Sequence, residues 1–213
     1  MNLRNKRILI TAGPTWVAID SMRIISNSAT GTTGILLARD LARKGAKVTL
    51  VLGPVCGGSG YQLPNIRIVR FSFFHELKHA LIQELRWQAY DVVIHSAAVS
   101  DFAPAHHIRG KLKSDRPHTL RLKVLPKLIA TIQRVSPQSA LVIFKLESGI
   151  SDLELIRRAR RALSDQGADI IVANKIKPKY RAYLLDKEKI YAKVDAKETL
   201  VKSLITLIGD IWN

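Results

Sequence analysis

The chain has 213 residues, 47% of them hydrophobic, so it can bury a sizeable core, and this composition argues against disorder for most of its length. Its 34 lysines and arginines against 17 acidic residues give a formal net charge of +17, which would attract polyanions. No apolar run approaches the ~18 residues of a membrane span, and the N-terminus lacks a signal-peptide core. We therefore expect a cytoplasmic protein with no membrane association.

Apolar, β-rich runs alternate with helical patterns along the chain. Strands are predicted at residues 7–12, 47–52, 66–71, 92–97, 141–146 and 170–173, and helices at about 32–44, 74–88, 126–135, 151–164 and 197–211. Strands that are continuously apolar are typical of a parallel sheet covered on both faces. The predicted fold class is α/β: a three-layer, Rossmann-like, mostly parallel sheet.

Two segments break this alternation. Residues 119–124 (TLRLKV) alternate apolar and polar at period two, and residues 181–194 indicate two short strands around a turn near 186–189. We expect them to form a small β appendage on one structural unit that spans residues 1–213. Exposed strands of this kind commonly serve dimer contacts, so we expect a homodimer.

Two features could indicate a metal or a reactive thiol. The motif HELKH at residues 75–79 matches the HExxH pattern of zinc proteases, in which both histidines face the metal from one side of a helix. On a helical wheel, however, His75 and His79 fall nearly opposite the apolar face, so we expect both in solvent. Cys56 is the single cysteine, which excludes an internal disulfide and a multi-thiolate metal site.

Ligands of an open parallel sheet bind beyond the carboxyl ends of its strands, where helix N-termini offer unpaired N–H groups. The glycine motif at residues 29–34 is close to a dinucleotide fingerprint, but roughly 18 residues separate it from the first strand, where ~2 to 6 are usual. The second strand ends in LVLGPV, with no acidic residue for the ribose hydroxyls. Both observations weigh against an NAD(P)-dependent reductase.

Ordered motifs in these loops resemble the phosphopantothenoylcysteine synthetase family, in the stand-alone form of the DNA/pantothenate metabolism flavoprotein C-terminal domain. The stretch ITAGPTWVAIDSMRIISNSATGTTG is similar to the family's ITAGGT, spacer and IDPVRYISNRSSGKMG, without a change of length. AKVTLVLGP, SAAVSDFAP, GKLK, VIFKLES and DIIVAN follow in the family's order. The resemblance covers most of the chain, and several ordered motifs are more specific than any one of them.

The resemblance implies a ligase that joins 4'-phosphopantothenate to L-cysteine in coenzyme A biosynthesis. The substrate carboxylate would attack a nucleoside triphosphate, ATP or CTP, releasing pyrophosphate. The cysteine amine would then displace NMP from the acyl-nucleotidylate. Mg²⁺ would arrive with the triphosphate rather than in a preformed metal site. Because the first strand begins at residue 7, we expect no flavin and no decarboxylation by this chain.

The resemblance also assigns site residues. Asn27, Arg23 and Lys111 would be catalytic, the first two facing phosphopantothenate and its acyl intermediate and the third assisting formation of that intermediate. The residues assigned to the nucleotide are Gly13, Ser28, Thr30, Gly31, Gly34, Ala98, Asp101, Lys113, Phe144 and Asn174. The chain departs from the family pattern at Thr32 and Ser114, where the family has lysine.

Two alternatives stay open beside the ligase. One is a nucleic-acid-binding protein on a nucleotide-type fold, which the net charge of +17 favours. The basic residues are nevertheless spread along the chain, and only 6% of residues are aromatic, with no interleaved stacking motif, so we expect small-molecule substrates rather than nucleic acid. The other is the NAD(P)-dependent reductase.

Overall fold

The computed structural model describes residues 3–55, 63–106 and 108–212. Within these ranges the strands are β1 (Arg7–Ala12), β2 (Trp16–Ala18), β3 (Ile24–Ser26), β4 (Lys47–Leu52), β5 (Ile66–Arg70), β6 (Val92–His95), β7 (Phe102–Pro104), β8 (Leu122–Val124), β9 (Ala140–Glu147), β10 (Ile170–Lys175), β11 (Arg181–Leu185) and β12 (Ile190–Val194). The helices are α1 (Thr32–Arg43), α2 (Phe74–Trp87), α3 (Leu128–Val135), α4 (Asp152–Gln166) and α5 (Lys197–Ile211).

The described chain is built around an eight-stranded sheet in the order β12-β11-β10-β9-β6-β1-β4-β5. Its pairs from β10 to β5 are parallel, and β11 and β12 are antiparallel. Side chains alternate across the strands: Ile8 and Ile10 pack in a core with α1 and α5, whereas Leu9 packs in a second core with α2, α3 and α4. The predicted three-layer, mostly parallel α/β fold is confirmed.

The two segments expected in a β appendage lie in different places. Residues 181–194 form the predicted strand pair, but β11 pairs antiparallel with β10 and so continues the main sheet instead of projecting from it. An open strand edge carries unpaired N–H and C=O groups, and the hairpin satisfies those of β10. In the segment 119–124 only Leu122–Val124 is a strand, which pairs with β7 in a separate two-stranded ribbon.

The long connection after β1 folds into a second small hairpin of β2 and β3. Hydrogen bonds join its base to the carboxyl edge of the main sheet, from Trp16 N to Ser72 O (2.7 Å) and from Thr15 N to Ala98 O (3.2 Å). Val17, the middle residue of β2, is buried. The hairpin is therefore held at the edge where ligands of such sheets bind.

The structure also describes the HELKH motif, which matches the pattern of zinc proteases. His75 and His79 are exposed on α2, as predicted. In the ranges that the structure describes, no group of three or more His, Cys, Asp or Glu side chains could hold a metal ion. No helix in those ranges is both long enough and apolar enough to span a bilayer. Cys56 lies outside the described residues.

Candidate functional site

A cleft of about 730 Å³ lies at the carboxyl edge of the main sheet, a size typical of small-molecule sites. The β3–α1 loop, the segment after β6, the start of α3 and the ends of β9 and β10 contribute to its walls. The predicted site residues that line it are Asn27, Ser28, Thr30, Gly31, Ala98, Asp101, Phe144 and Asn174. The fold thus brings most of the predicted nucleotide residues together with Asn27.

The N-terminus of α1 faces this cleft, and among its first three backbone N–H groups only that of Thr32 has a partner in the described residues, Thr30 Oγ1 at 3.5 Å. The first helical bond runs from Ile35 N to Gly31 O (3.1 Å), and α1 has neither a side-chain cap nor an acidic residue in its first turn. The N–H groups of Thr33 and Gly34 therefore precede the hydrogen-bonded ladder. Together with the positive end of the helix dipole, they form a site for an anion such as a phosphate.

The predicted glycines bring the β3–α1 loop close to the end of β1. Gly31 has φ of +69°, and a Cβ atom there would lie 2.8 Å from Val55 Cγ1 and 3.2 Å from Gly13 N. A Cβ atom on Gly34 would lie 2.5 Å from Ala12 Cβ. Gly13 and Gly34 are not among the lining residues. Their part is to allow this close packing, which only residues without a side chain permit.

Asn27 joins two walls of the cleft. Its Nδ2 donates to Ala98 O at 3.0 Å and to Val99 O at 3.3 Å. Both amide hydrogens are used in this way, which leaves the side-chain carbonyl oxygen as an acceptor. Donation to the acyl group of a substrate, the role the family resemblance implies, would require one of these bonds to open.

Asp101 is the only acidic residue among the described residues that line the cleft. Its carboxylate accepts a hydrogen bond from Lys127 Nζ at 2.5 Å, and both side chains are more than half exposed. Lys127 immediately precedes α3 and also lines the cleft. Sequence reasoning missed this lysine, since its only signal was its place just before a helix.

The three predicted cationic residues lie beside the β2–β3 hairpin and not in the lining of the cleft. The Arg23 guanidinium contacts Asp20 and donates to Leu112 O at 3.3 Å. Lys111 and Lys113 flank Leu112 and are exposed. The Arg23 guanidinium thus contacts Leu112, between the two lysines, whereas Asn27 lines the cleft. The catalytic role expected for Arg23, Lys111 and Asn27 stays a prediction.

Two further lysines lie towards the carboxyl ends of strands, Lys145 in β9 and Lys175 at the end of β10. Lys145 lines the cleft, with its Nζ 3.2 Å from Glu147. Lys175 is buried instead, and its Nζ contacts Asp152 at 2.5 Å and donates to Ile150 O at 3.1 Å. Lys145 is therefore the one available to a ligand.

Sequence reasoning also missed His95, a buried residue at the end of β6 that lines the cleft. Its Nδ1 lies 2.9 Å from Thr11 Oγ1 on the neighbouring strand. Burial lowers the pKa of His95 to about 4, because the charged form would lose its hydration. The imidazole at the floor of the cleft is therefore neutral near pH 7.

An open, mostly parallel sheet whose carboxyl edge carries a helix N-terminus without a side-chain cap, glycine turns and polar walls is typical of Rossmann-like α/β proteins. The family model for the DNA/pantothenate metabolism flavoprotein C-terminal domain matches residues 3–204. The chain belongs to that family.

Individual relatives agree with this assignment. The chain is 36% identical over 178 residues to the coenzyme A biosynthesis bifunctional protein CoaBC of Thermococcus kodakarensis, covering 83% of this chain and 43% of that protein. A crystal structure of the DNA/pantothenate metabolism flavoprotein from Streptococcus pneumoniae superposes with a TM-score of 0.85 at 27% identity, over 96% of this chain and 99% of that one. For the C-terminal domain of a CoaBC protein the TM-score is 0.80 at 26% identity, over 98% and 96%.

Proposed function

We propose that this chain is a phosphopantothenate–cysteine ligase of coenzyme A biosynthesis that works through an acyl-nucleotidylate. The observation that carries the proposal is the uncapped N-terminus of α1 beside Asn27 in one cleft. A helix N-terminus can bind a phosphate and the neighbouring Asn27 amide can contact an acyl group, which supports a reaction between the two. Similarity to proteins named for coenzyme A biosynthesis supports the choice of substrates.

In the first step a carboxylate oxygen of 4'-phosphopantothenate attacks the α-phosphorus of ATP or CTP, and pyrophosphate leaves. The step brings negatively charged groups together, so cations and N–H donors must offset their repulsion. The start of α1, Lys127 and Lys145 line the cleft, and Lys111 lies on a loop tied to the hairpin that leads to Asn27. We assign Lys111 to stabilising the charge that develops in this step.

In the second step the amine of L-cysteine attacks the acyl carbon, NMP leaves with the bridging oxygen, and the amine loses a proton. No nucleophile from the protein is needed. Asn27 is the residue that we place against the acyl group.

The homodimer also stays a proposal. The β7–β8 ribbon carries three exposed apolar side chains, Phe102, Leu122 and Val124, which a second subunit could cover.

The donors in the cleft fit a Mg²⁺ ion that arrives with the nucleotide. Asp101 is the only carboxylate among the described lining residues, and Mg²⁺ in nucleotide sites is held by one or two carboxylates together with phosphate oxygens and water. Asp101 would thus be the protein ligand. The bound ion would neutralise charge on the leaving pyrophosphate.

The test is a reconstituted reaction with the purified chain, phosphopantothenate, L-cysteine and Mg²⁺, with ATP or CTP in separate samples. We expect pyrophosphate and ligated product with at least one nucleotide, and a much lower but measurable rate of product formation in Asn27→Ala and in Lys111→Ala. Lys202→Ala, which removes an exposed lysine of α5, should leave the rate unchanged. Absence of pyrophosphate with both nucleotides would contradict the ligase.

A further inference from the structure

Asp20 is a buried carboxylate at the tip of the β2–β3 hairpin, and its side chain is fully inaccessible to solvent. Its Oδ1 accepts hydrogen bonds from Met22 N at 2.8 Å and from Arg23 N at 2.7 Å, so it closes the hairpin turn. A buried carboxylate is costly unless both oxygens are satisfied. The partners of the second oxygen therefore show what else the residue holds.

The second oxygen joins the hairpin to a loop about 90 residues further along the chain. Asp20 Oδ2 accepts a hydrogen bond from Leu112 N at 2.9 Å and contacts the Arg23 guanidinium. Arg23 Nη1 in turn donates to Leu112 O at 3.3 Å, and Ser21 N donates to Gly110 O at 3.1 Å. The tip of the hairpin thus holds the backbone of residues 110–112 at several points.

The attachment of residues 110–112 to the hairpin determines the position of the backbone that carries Lys111 and Lys113. Lys111 and Lys113 flank Leu112, and no described residue forms an ion pair or side-chain hydrogen bond with Lys111. Its ammonium group is therefore located by the backbone that carries it. At the other end of the hairpin, Asn27 directly follows β3 and lines the cleft. The β2–β3 hairpin therefore connects the Lys111 loop, residues 110–112, with Asn27.

We propose that Asp20 is a positioning residue, whose carboxylate fixes the Lys111 loop relative to Asn27 through the β2–β3 hairpin. The catalytic part of this inference rests on the proposed ligase function. It also gives the Arg23 guanidinium a structural task, because that group completes the link between Asp20 and Leu112.

Hydrogen bonds keep the Asp20 carboxylate charged over the pH range in which an enzyme would be assayed. The N–H groups of Leu112, Met22 and Arg23 and the Arg23 guanidinium hold the pKa of the Asp20 carboxyl well below its usual range, against the opposing effect of burial. The carboxylate is therefore an acceptor for all of its donors at neutral pH.

Asp20→Asn tests the link with little change of shape. Either orientation of the amide leaves its nitrogen facing two donors, and the loop 110–112 can move away more easily than residues 22 and 23, which adjoin the substitution. Trypsin cuts after Arg109, Lys111 and Lys113, and the rate of cutting reports how often the loop opens. We expect cleavage at these sites, mapped by mass spectrometry, to accelerate roughly tenfold.

Asp186→Asn is the matched control. Asp186 also accepts two backbone hydrogen bonds, from Glu188 N and Lys189 N, but it lies in the β11–β12 turn. We expect this variant to leave cleavage at residues 109–113 unchanged. A folded Asp20→Asn protein with the wild-type cleavage rate there would overturn the proposal. Arg23→Met, at a side chain 40% exposed, disrupts the same link if Asp20→Asn folds poorly.

Kinetics separate positioning from general support of the fold. In the ligase assay Asp20→Asn should lower kcat roughly 10- to 100-fold and leave the KM for L-cysteine nearly unchanged. In a Lys111→Ala background it should have no further effect. Additive losses would overturn a role through Lys111. If the wild-type chain forms no product, the catalytic part falls with the ligase, while the tryptic pattern still decides whether Asp20 holds the loop.

Discussion

Thr11 Oγ1 and His95 Nδ1 lie 2.9 Å apart on neighbouring strands, and this hydrogen bond joins two buried side chains at the edge of the cleft. The Thr11 hydroxyl oxygen already accepts a hydrogen bond from Ala97 N at 3.2 Å, and Thr11 is fully buried. The imidazole of His95 is thus held by a threonine that is itself tied to the backbone after β6.

The buried imidazole predicts that the fold loses stability in mild acid. The pKa of His95 is about 4 in the folded chain, against an ordinary value of 6.5, so the unfolded chain binds the proton first as pH falls. The contribution of neutral His95 to the free energy of unfolding is complete above pH ~6.5. It is lost as the pH falls from ~6.5 to ~4, a total of about 3 kcal/mol. Urea unfolding at pH 7.5 and pH 4.5 measures it.

His95→Gln should remove most of the difference in the free energy of unfolding between pH 7.5 and pH 4.5, whatever its effect on stability at pH 7.5. His79→Gln, at an exposed position of α2, is the control and should keep the wild-type difference. If His95→Gln unfolds with the wild-type dependence on pH, the acid sensitivity comes from other groups.

The β3–α1 loop gives a second prediction, because Gly31 combines a left-handed backbone with close neighbours. Gly31→Ala forces a side chain into φ of +69° and brings its Cβ within 2.8 Å of Val55. We expect unfolding to become easier by about 2–4 kcal/mol, the sum of backbone strain and overpacking. Chemical denaturation measures the loss, and the KM for the nucleotide should rise with it.

Gly149→Ala separates the two contributions. Gly149 has the same φ of +69°, but nothing lies within 4 Å of a Cβ atom placed there. This variant should cost only about 1 kcal/mol, the strain alone. Equal losses in the two variants would show that contact of the loop with Val55 and Gly13 adds nothing.

The main sheet was predictable because its strands are continuously apolar and alternate with amphipathic helices. The bounds expected for residues 7–12, 47–52 and 197–211 are those of β1, β4 and α5. A central strand is buried on both faces and a helix is buried along one stripe of side chains, and each leaves a recognisable pattern of apolar residues in the sequence. The carboxyl edge, and with it most of the cleft, follows from the order of these elements.

The β2–β3 hairpin and the contact of Asp20 with Leu112 left no comparable pattern. The two strands have three residues each, too few for a periodicity to be recognised. Asp20 and Leu112 are 92 residues apart, and their hydrogen bond involves a backbone N–H group that every residue except proline has. The positions of Arg23 and Lys111 depend on this long-range contact, so the sequence could indicate their types but not their places.

A third prediction concerns Thr32, the first residue of α1, where the family pattern has a lysine. Thr32→Lys adds a cation beside the anion site, so we expect a roughly 3- to 10-fold lower KM for the nucleoside triphosphate, and the gain should shrink as salt rises. A cation at a helix N-terminus opposes the helix dipole, so unfolding should become easier by about 0.3–1 kcal/mol. Thr206→Lys, which adds the same charge at an exposed position of α5, should leave the KM unchanged. Equal KM values in the two variants and the wild type would mean that the nucleotide phosphates do not bind at the start of α1.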